Sequence, residues 1–279
     1  MENGANDAPL ADCAFSGRPL SSVLRADAAI GIAVFSAPVA LIALLSGEST
    51  DPPSRPVCRD ARDCNVAGTR ALGSGRMAAA QEAFEAEVRF AWCEGDTAGL
   101  VRAHNNLALL ALRRGEPLRA RLWSDVALKL DARSPAALYN ARSANERIAR
   151  LSPAQGVTGS YSSSAGDPLI NEVRVQELAG NRMRFELWAS GAFSCADMGH
   201  HMGGASGIVA FNGGDAVWET QDFGDRCRLL FSFGPDELTV RQEGSPADCG
   251  FGNRVYADGT YRRTSRQAPQ FTPGVSGTR

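Results

Sequence analysis

The sequence predicts a multidomain chain: a single N-terminal transmembrane helix, then an all-α helical repeat, then an all-β small antiparallel barrel or sandwich. Three observations carry this reading. Residues 28–47 run for twenty positions without a charge. Between residues 64 and 150, small and apolar residues recur at fixed spacing. After Leu151, Ala, Leu and Arg give way to Gly, Ser and aromatic residues in short alternating runs. The expected organisation is a cytoplasmic tail over 1–27, a signal anchor over 28–47 and a linker over 48–63. Repeats over 64–150, a linker over 151–166, a β domain over 167–264 and a disordered tail over 265–279 complete it.

The uncharged run is long enough to span a bilayer, since twenty helical residues at about 1.5 Å each cover roughly 30 Å. It has no polar face, and its flanks, 18–27 and 48–55, carry charge. A buried soluble helix is one competing reading, which the missing polar face and the charged flanks oppose; cleavage as a secretory signal is the other. It is opposed by the 27 residues ahead of the run and by the lack of an A-x-A site after Leu45. Arginines flank both ends, so charge does not orient the span. Cysteines do: Cys13 precedes it and six follow, an even set that suits an oxidising compartment. The expected location is a single-pass inner-membrane protein with its C-terminal region in the periplasm.

In the middle of the chain, the asparagine of Asn106-Leu107-Ala108 is followed 34 residues on by that of Leu138-Tyr139-Asn140, the interval of a 34-residue repeat. Gly68, Gly75, Ala80 and Phe84 precede Ala108, Gly115, Ala120 and Ser124 by 40. The six extra residues are expected in a loop around 92–97, where Cys93-Glu94-Gly95-Asp96 reads as a turn. Pro135 suits a first helical turn and Ser134 its cap. With Asp125-Val126-Ala127-Leu128-Lys129-Leu130-Asp131 as a closing segment, residues 65–150 resemble the tetratricopeptide repeat (TPR) family as two repeats and a closing helix. Departures from its pattern are Ser124 for an aromatic, Ala132 for Pro and Glu87 for Ala. The resemblance implies paired antiparallel helices and a groove that holds a protein segment. Helix geometry assigns Arg102, Asn105 and Leu109 to that groove, with Tyr139 and Ser143 equivalent in the next unit.

Six cysteines allow fifteen pairings. Cys64 with Cys93 and Cys58 with Cys64 are both geometrically open. Cys227 with Cys249 is the preferred bridge of the β half, which leaves Cys195 and one of Cys58, Cys64 and Cys93 unassigned.

In the β half, Met183, Phe185 and Leu187 alternate, as do Cys227, Leu229, Phe231 and Phe233, then Leu238 and Val240. Asn212-Gly213-Gly214, Gly234-Pro235-Asp236 and Asp258-Gly259 supply turn signals, and about seven strands follow. The runs 227–233, 238–242, 249–252 and 257–261 resemble small secreted bacterial domains of the lysozyme-inhibitor type. That resemblance implies an antiparallel barrel, with Ala205-Ser206-Gly207 as an inhibitory loop.

Cys195, His200 and His201, with Met198 and Met202, form the one cluster with soft and borderline metal ligands, suited to copper or zinc. No G-x-S-x-G elbow or phosphate-binding glycine loop is present, so neither enzyme chemistry nor a cofactor is expected. Nucleic acid is not an expected partner either: residues 64–150 hold 13 basic and 9 acidic side chains, residues 151–264 hold 9 and 14, and Lys129 is the single lysine. The function these readings imply is a membrane-anchored protein-binding adaptor of the bacterial envelope, with its β domain recognising or inhibiting an envelope protein. The alternatives are a periplasmic copper or zinc protein and a lysozyme inhibitor.

Overall fold

The computed structural model describes residues 58–164, 170–196 and 198–272. The tail 1–27 and the expected span 28–47 lie outside these. Among the described residues no helix is long and apolar enough to cross a membrane.

Five helices come first: α1 (Ala61–Gly73), α2 (Met77–Glu94), α3 (Thr97–Arg113), α4 (Pro117–Leu130) and α5 (Pro135–Ile148). Their ends are set locally. Asp60, Asp96 and Ser134 cap α1, α3 and α5 by accepting from Asp63 N, Gly99 N and Ala137 N, and Pro117 and Pro135 occupy first turns. The turns after α1 and α3 close identically. Arg76 N and Glu116 N reach back to Ala71 O and Ala111 O, and the intervening Gly75 and Gly115 take positive φ, 75° and 74°. α2 and α3 are joined the same way through Gly95.

Consecutive helices pack as antiparallel hairpins around small residues. Gly68 is the tightest point, since a Cβ there would sit 2.4 Å from the ring of Phe84 on α2. Ala108, its counterpart 40 residues on, is fully buried. The expected loop at 92–97 is corrected. α2 runs through Glu94 with 18 residues against 14 for α4, so most of the insertion is an extra helical turn. α1 likewise begins at Ala61, inside the expected linker.

Eight strands follow: β1 (Gly159–Ser164), β2 (Ile170–Leu178), β3 (Arg182–Ser194), β4 (Gly199–Asn212), β5 (Asp215–Thr220), β6 (Cys227–Phe233), β7 (Glu237–Glu243) and β8 (Gly259–Ser265). Each pairs antiparallel with the next, and β8 returns to β1 to close the barrel. Met183, Phe185, Leu187, Leu229, Phe231, Leu238 and Val240 all point inward, as their alternation predicts. Three placements differ from expectation. β1 lies where a linker to residue 166 is expected, because Gly-Ser-Tyr-Ser-Ser-Ser offers only Tyr161 to the core. Asp258-Gly259 is not a hairpin turn: Gly259 opens β8, and the β7–β8 connection is the longer segment 244–258. Residues 266–272, expected in the disordered tail, are fastened to the barrel. Arg266 pairs with Asp236 at 2.9 Å, Gln270 O accepts from Arg174, and Phe271 lies under the Arg184 guanidinium at 4.1 Å.

Among the described residues three disulfides form: Cys58–Cys64, Cys93–Cys195 and Cys227–Cys249. The Cys227–Cys249 expectation holds and the Cys64–Cys93 possibility does not. The extra turn of α2 carries Cys93 past α1 toward the tip of the β3–β4 hairpin. α4 lies along β8 and β1, where Asp125 and Arg262 approach to 3.4 Å and the outward serine Ser162 lets the helix come close.

Candidate protein-binding face

α1, α3 and α5 stand side by side, while α4 and part of α2 turn toward the barrel. A ladder of repeat-equivalent side chains ties the first three together. Asn106 Nδ2 donates to Asn65 Oδ1 at 2.9 Å, and Asn140 Nδ2 donates to Asn105 O at 3.2 Å. Arg113 and Arg147 donate to Leu72 O and Leu112 O, the last-turn carbonyls of the preceding odd helix. Donors 34 residues apart thus reach acceptors 40 residues apart, so the spacing of the sequence becomes a spacing in space.

Of the five residues assigned to the groove, Tyr139 is the most open, 67% exposed on α5. Arg102 is half-exposed, and its Nε donates to Glu87 Oε1 at 2.7 Å. Ser143 is half-buried. Asn105 corrects the expectation: it is buried, with its amide donating to Ser134 Oγ at 3.2 Å, because α5 packs directly over it. Leu109 is also half-buried, packed against the helical core. These two support the face and do not present it. Asn106 and Asn140 mark the repeat in the sequence but were not assigned to the face, and Asn65 and Arg147 were not named; the recurrence of Asn106 and Asn140 at the repeat interval was the available signal.

Glu87 occupies the position where a small residue was expected. Its carboxyl is fully buried and Oε2 has no hydrogen-bond partner. Burial pushes its pKa up to about 7, against the opposing pull of Arg102. His104, on the buried side of α3, donates from Nδ1 to Leu100 O at 2.7 Å and packs against Trp123. Desolvation lowers its pKa to about 4, so the ring is neutral. Asp60, Arg62, Asn65, Glu94, Asp96 and Arg102 line a shallow depression of about 550 Å³ between α1 and α3.

The metal cluster is not assembled. Cys195 is bonded to Cys93 and offers no thiolate, while His200 and His201 are exposed successive residues of β4, whose side chains alternate across the strand. Among the described residues no group of three His, Cys, Asp or Glu could hold a metal ion. Ala205-Ser206-Gly207 is strand and not loop, paired with Leu187, Glu186 and Phe185 of β3.

Compared with protein-family models, with curated proteins and with solved structures, the chain has no match in any of the three.

Proposed function

We propose that the protein is a membrane-anchored adaptor of the bacterial envelope whose TPR-like helices hold a segment of another protein across α1, α3 and α5. One observation carries the reading: the even-numbered helix α4 is turned to the barrel while the face bearing Tyr139 is left open, with Leu138 beside it 48% exposed. An array of two hairpins and a closing helix ends in an uncovered helix, and a bound segment or a further helix satisfies such an end. Mixed charge around Arg102, Asp96 and Arg62 suits a polar peptide backbone better than a lipid or a nucleic acid. The barrel contributes recognition of an envelope protein, and residues 28–47 contribute the anchor, which places the cysteines in an oxidising periplasm. The reading needs no catalysis and no cofactor.

In-cell photocrosslinking tests it. A photoreactive residue at Tyr139 should give a discrete protein adduct that one at Val217, on the barrel wall, does not. Equal adducts from both positions, or none from Tyr139, reject the groove.

A further inference from the structure

The Cys93–Cys195 bond differs from the other two in place and setting. Cys58, Cys64, Cys227 and Cys249 are at most 2% exposed, and each of their bridges closes a loop inside one module. Cys195 is exposed and Cys93 half-buried, and their bridge joins residues 102 apart in sequence. It ties the last turn of α2, the turn that lengthens this helix beyond α4, to the tip of the β3–β4 hairpin. The chain itself makes the other connection, through residues 149–158, and enters the barrel at the start of β1. In an antiparallel meander that is the opposite end of the barrel from the β3–β4 tip.

What lies between these two ties is weakly packed. The barrel core runs from Val157 to Tyr261 and the helical cores end at Ala144, with no residue shared. The contact between them contains clefts of about 400 and 170 Å³, lined by polar residues such as Ser162, Asp125 and Arg262 and by apolar ones such as Leu122, Val126 and Trp123. An interface with such voids is not close-packed and gains less from apolar burial than either core does. The bridge raises the effective concentration of one module beside the other, and that holds the interface shut.

We propose that Cys93–Cys195 is a thiol-exchange site, opened by a dithiol reductant while the two buried bridges persist, and that its opening releases the barrel from α4. A thiolate of the reductant attacks the accessible Cys195 Sγ, a new S–S bond forms, and the Cys93 sulfur leaves with the electron pair and takes up a proton. The second thiol of the reductant then attacks its own sulfur in the mixed disulfide. Cys195 leaves as a thiolate and is protonated, and the reductant departs as an internal disulfide. Two electrons and two protons pass to the protein. Exposure sets the selectivity, because an attacking sulfur must approach along the S–S axis, and the other four cysteines are reached only after the fold opens.

The test uses the full oxidised chain in graded ratios of reduced to oxidised dithiothreitol, with free thiols trapped by a maleimide and located by peptide mass spectrometry. Cys93 and Cys195 should become labelled together at a ratio about tenfold less reducing than the other pairs require. Labelling of Cys58 and Cys64 or of Cys227 and Cys249 first, or of all six at one ratio, overturns the site. Where only this bridge is open, amide exchange in Gly159–Ser164 and Pro117–Leu130 should quicken by about tenfold. A C93S/C195S double variant should match it without reductant. Unchanged exchange in the selectively reduced protein overturns the coupling, whatever the double variant does.

Discussion

The helical stack and the barrel bury their apolar surface by different routes. In the stack each hairpin touches chiefly its neighbours in sequence, many alanines sit between Phe84 and the leucines at the contacts, and the last helix leaves Leu138 and Tyr139 in the open. In the barrel β8 closes on β1, so no strand edge is left, and large side chains such as Phe185, Phe231 and Tyr261 fill a shared interior. An array that can be extended leaves a surface at its end, whereas a closed sheet does not. The open apolar face therefore belongs to the helices. The same contrast places the polar exceptions: Glu87 and His104 are buried between helices, held chiefly by Arg102 and by Leu100 O, while the buried Arg263 of the barrel is enclosed by Tyr161 OH, Gly156 O and Asp236.

Emptying the barrel core should have the largest effect. Phe185 packs against Phe231 and Trp218 at 4.9 and 6.1 Å. Phe185→Ala should cost about 3–5 kcal/mol in urea unfolding and act on the whole barrel, because a closed core has no independent parts. If residual near-ultraviolet dichroism persisted with a separate barrel transition split in two, that closure would be wrong.

A volume change should stay local in the stack. Gly68→Val drives a side chain into Phe84 and should cost about 1–3 kcal/mol. Faster amide exchange should be confined to α1 and α2; its spread through β1–β8 would deny the two cores their separation.

Two buried titrating groups make the stability of the helical stack depend on pH. Glu87 is raised from 4.5 to about 7, so between these values the folded state binds the extra proton. Its contribution to stability is complete below pH 4.5 and is lost as pH rises toward 7. His104 is lowered from 6.5 to about 4, so its contribution is present above pH 6.5 and is lost as pH falls toward 4. In the native chain the two slopes oppose each other between pH 4.5 and 6.5. Glu87→Gln should uncover a stability that climbs with pH across this window, by on the order of 1–2 kcal/mol. His104→Asn should uncover one that declines. Thermal melts of both variants at the two ends of the window decide it, and slopes of the same sign would refute the assignment.

The smallest effect concerns the end of the array. Ser134 caps α5 and also accepts from Asn105 on α3, so Ser134→Ala should lower stability by about 1 kcal/mol and loosen α5 first. Equal protection of α5 amides in native and variant chains would show that packing, and not the cap, holds the final helix.

Much of the architecture was legible because its signals are local. The Ser134–Pro135 helix start and the alternation of Met183, Phe185 and Leu187 each depend on a few neighbouring residues, and both take their expected form. The candidate face was legible in part. Tyr139 and Arg102 lie on it, but Asn105 turned out to be covered by α5, since helical phase gives a direction and not what lies in that direction. β1 was missed because a serine-rich strand packed under a helix carries almost no apolar alternation.

By itself, then, the chain's order of residues determined an all-α array followed by an all-β domain, some of the turns between their elements and the inward residues of three strands, because backbone propensity and hydrophobic period are written over short distances. Tertiary structure alone decided that Cys93 reaches Cys195, that Glu87 meets Arg102, and that β8 closes the sheet on β1. Each of these joins depends on how separately folded segments come to rest against one another, and no local pattern encodes that distance.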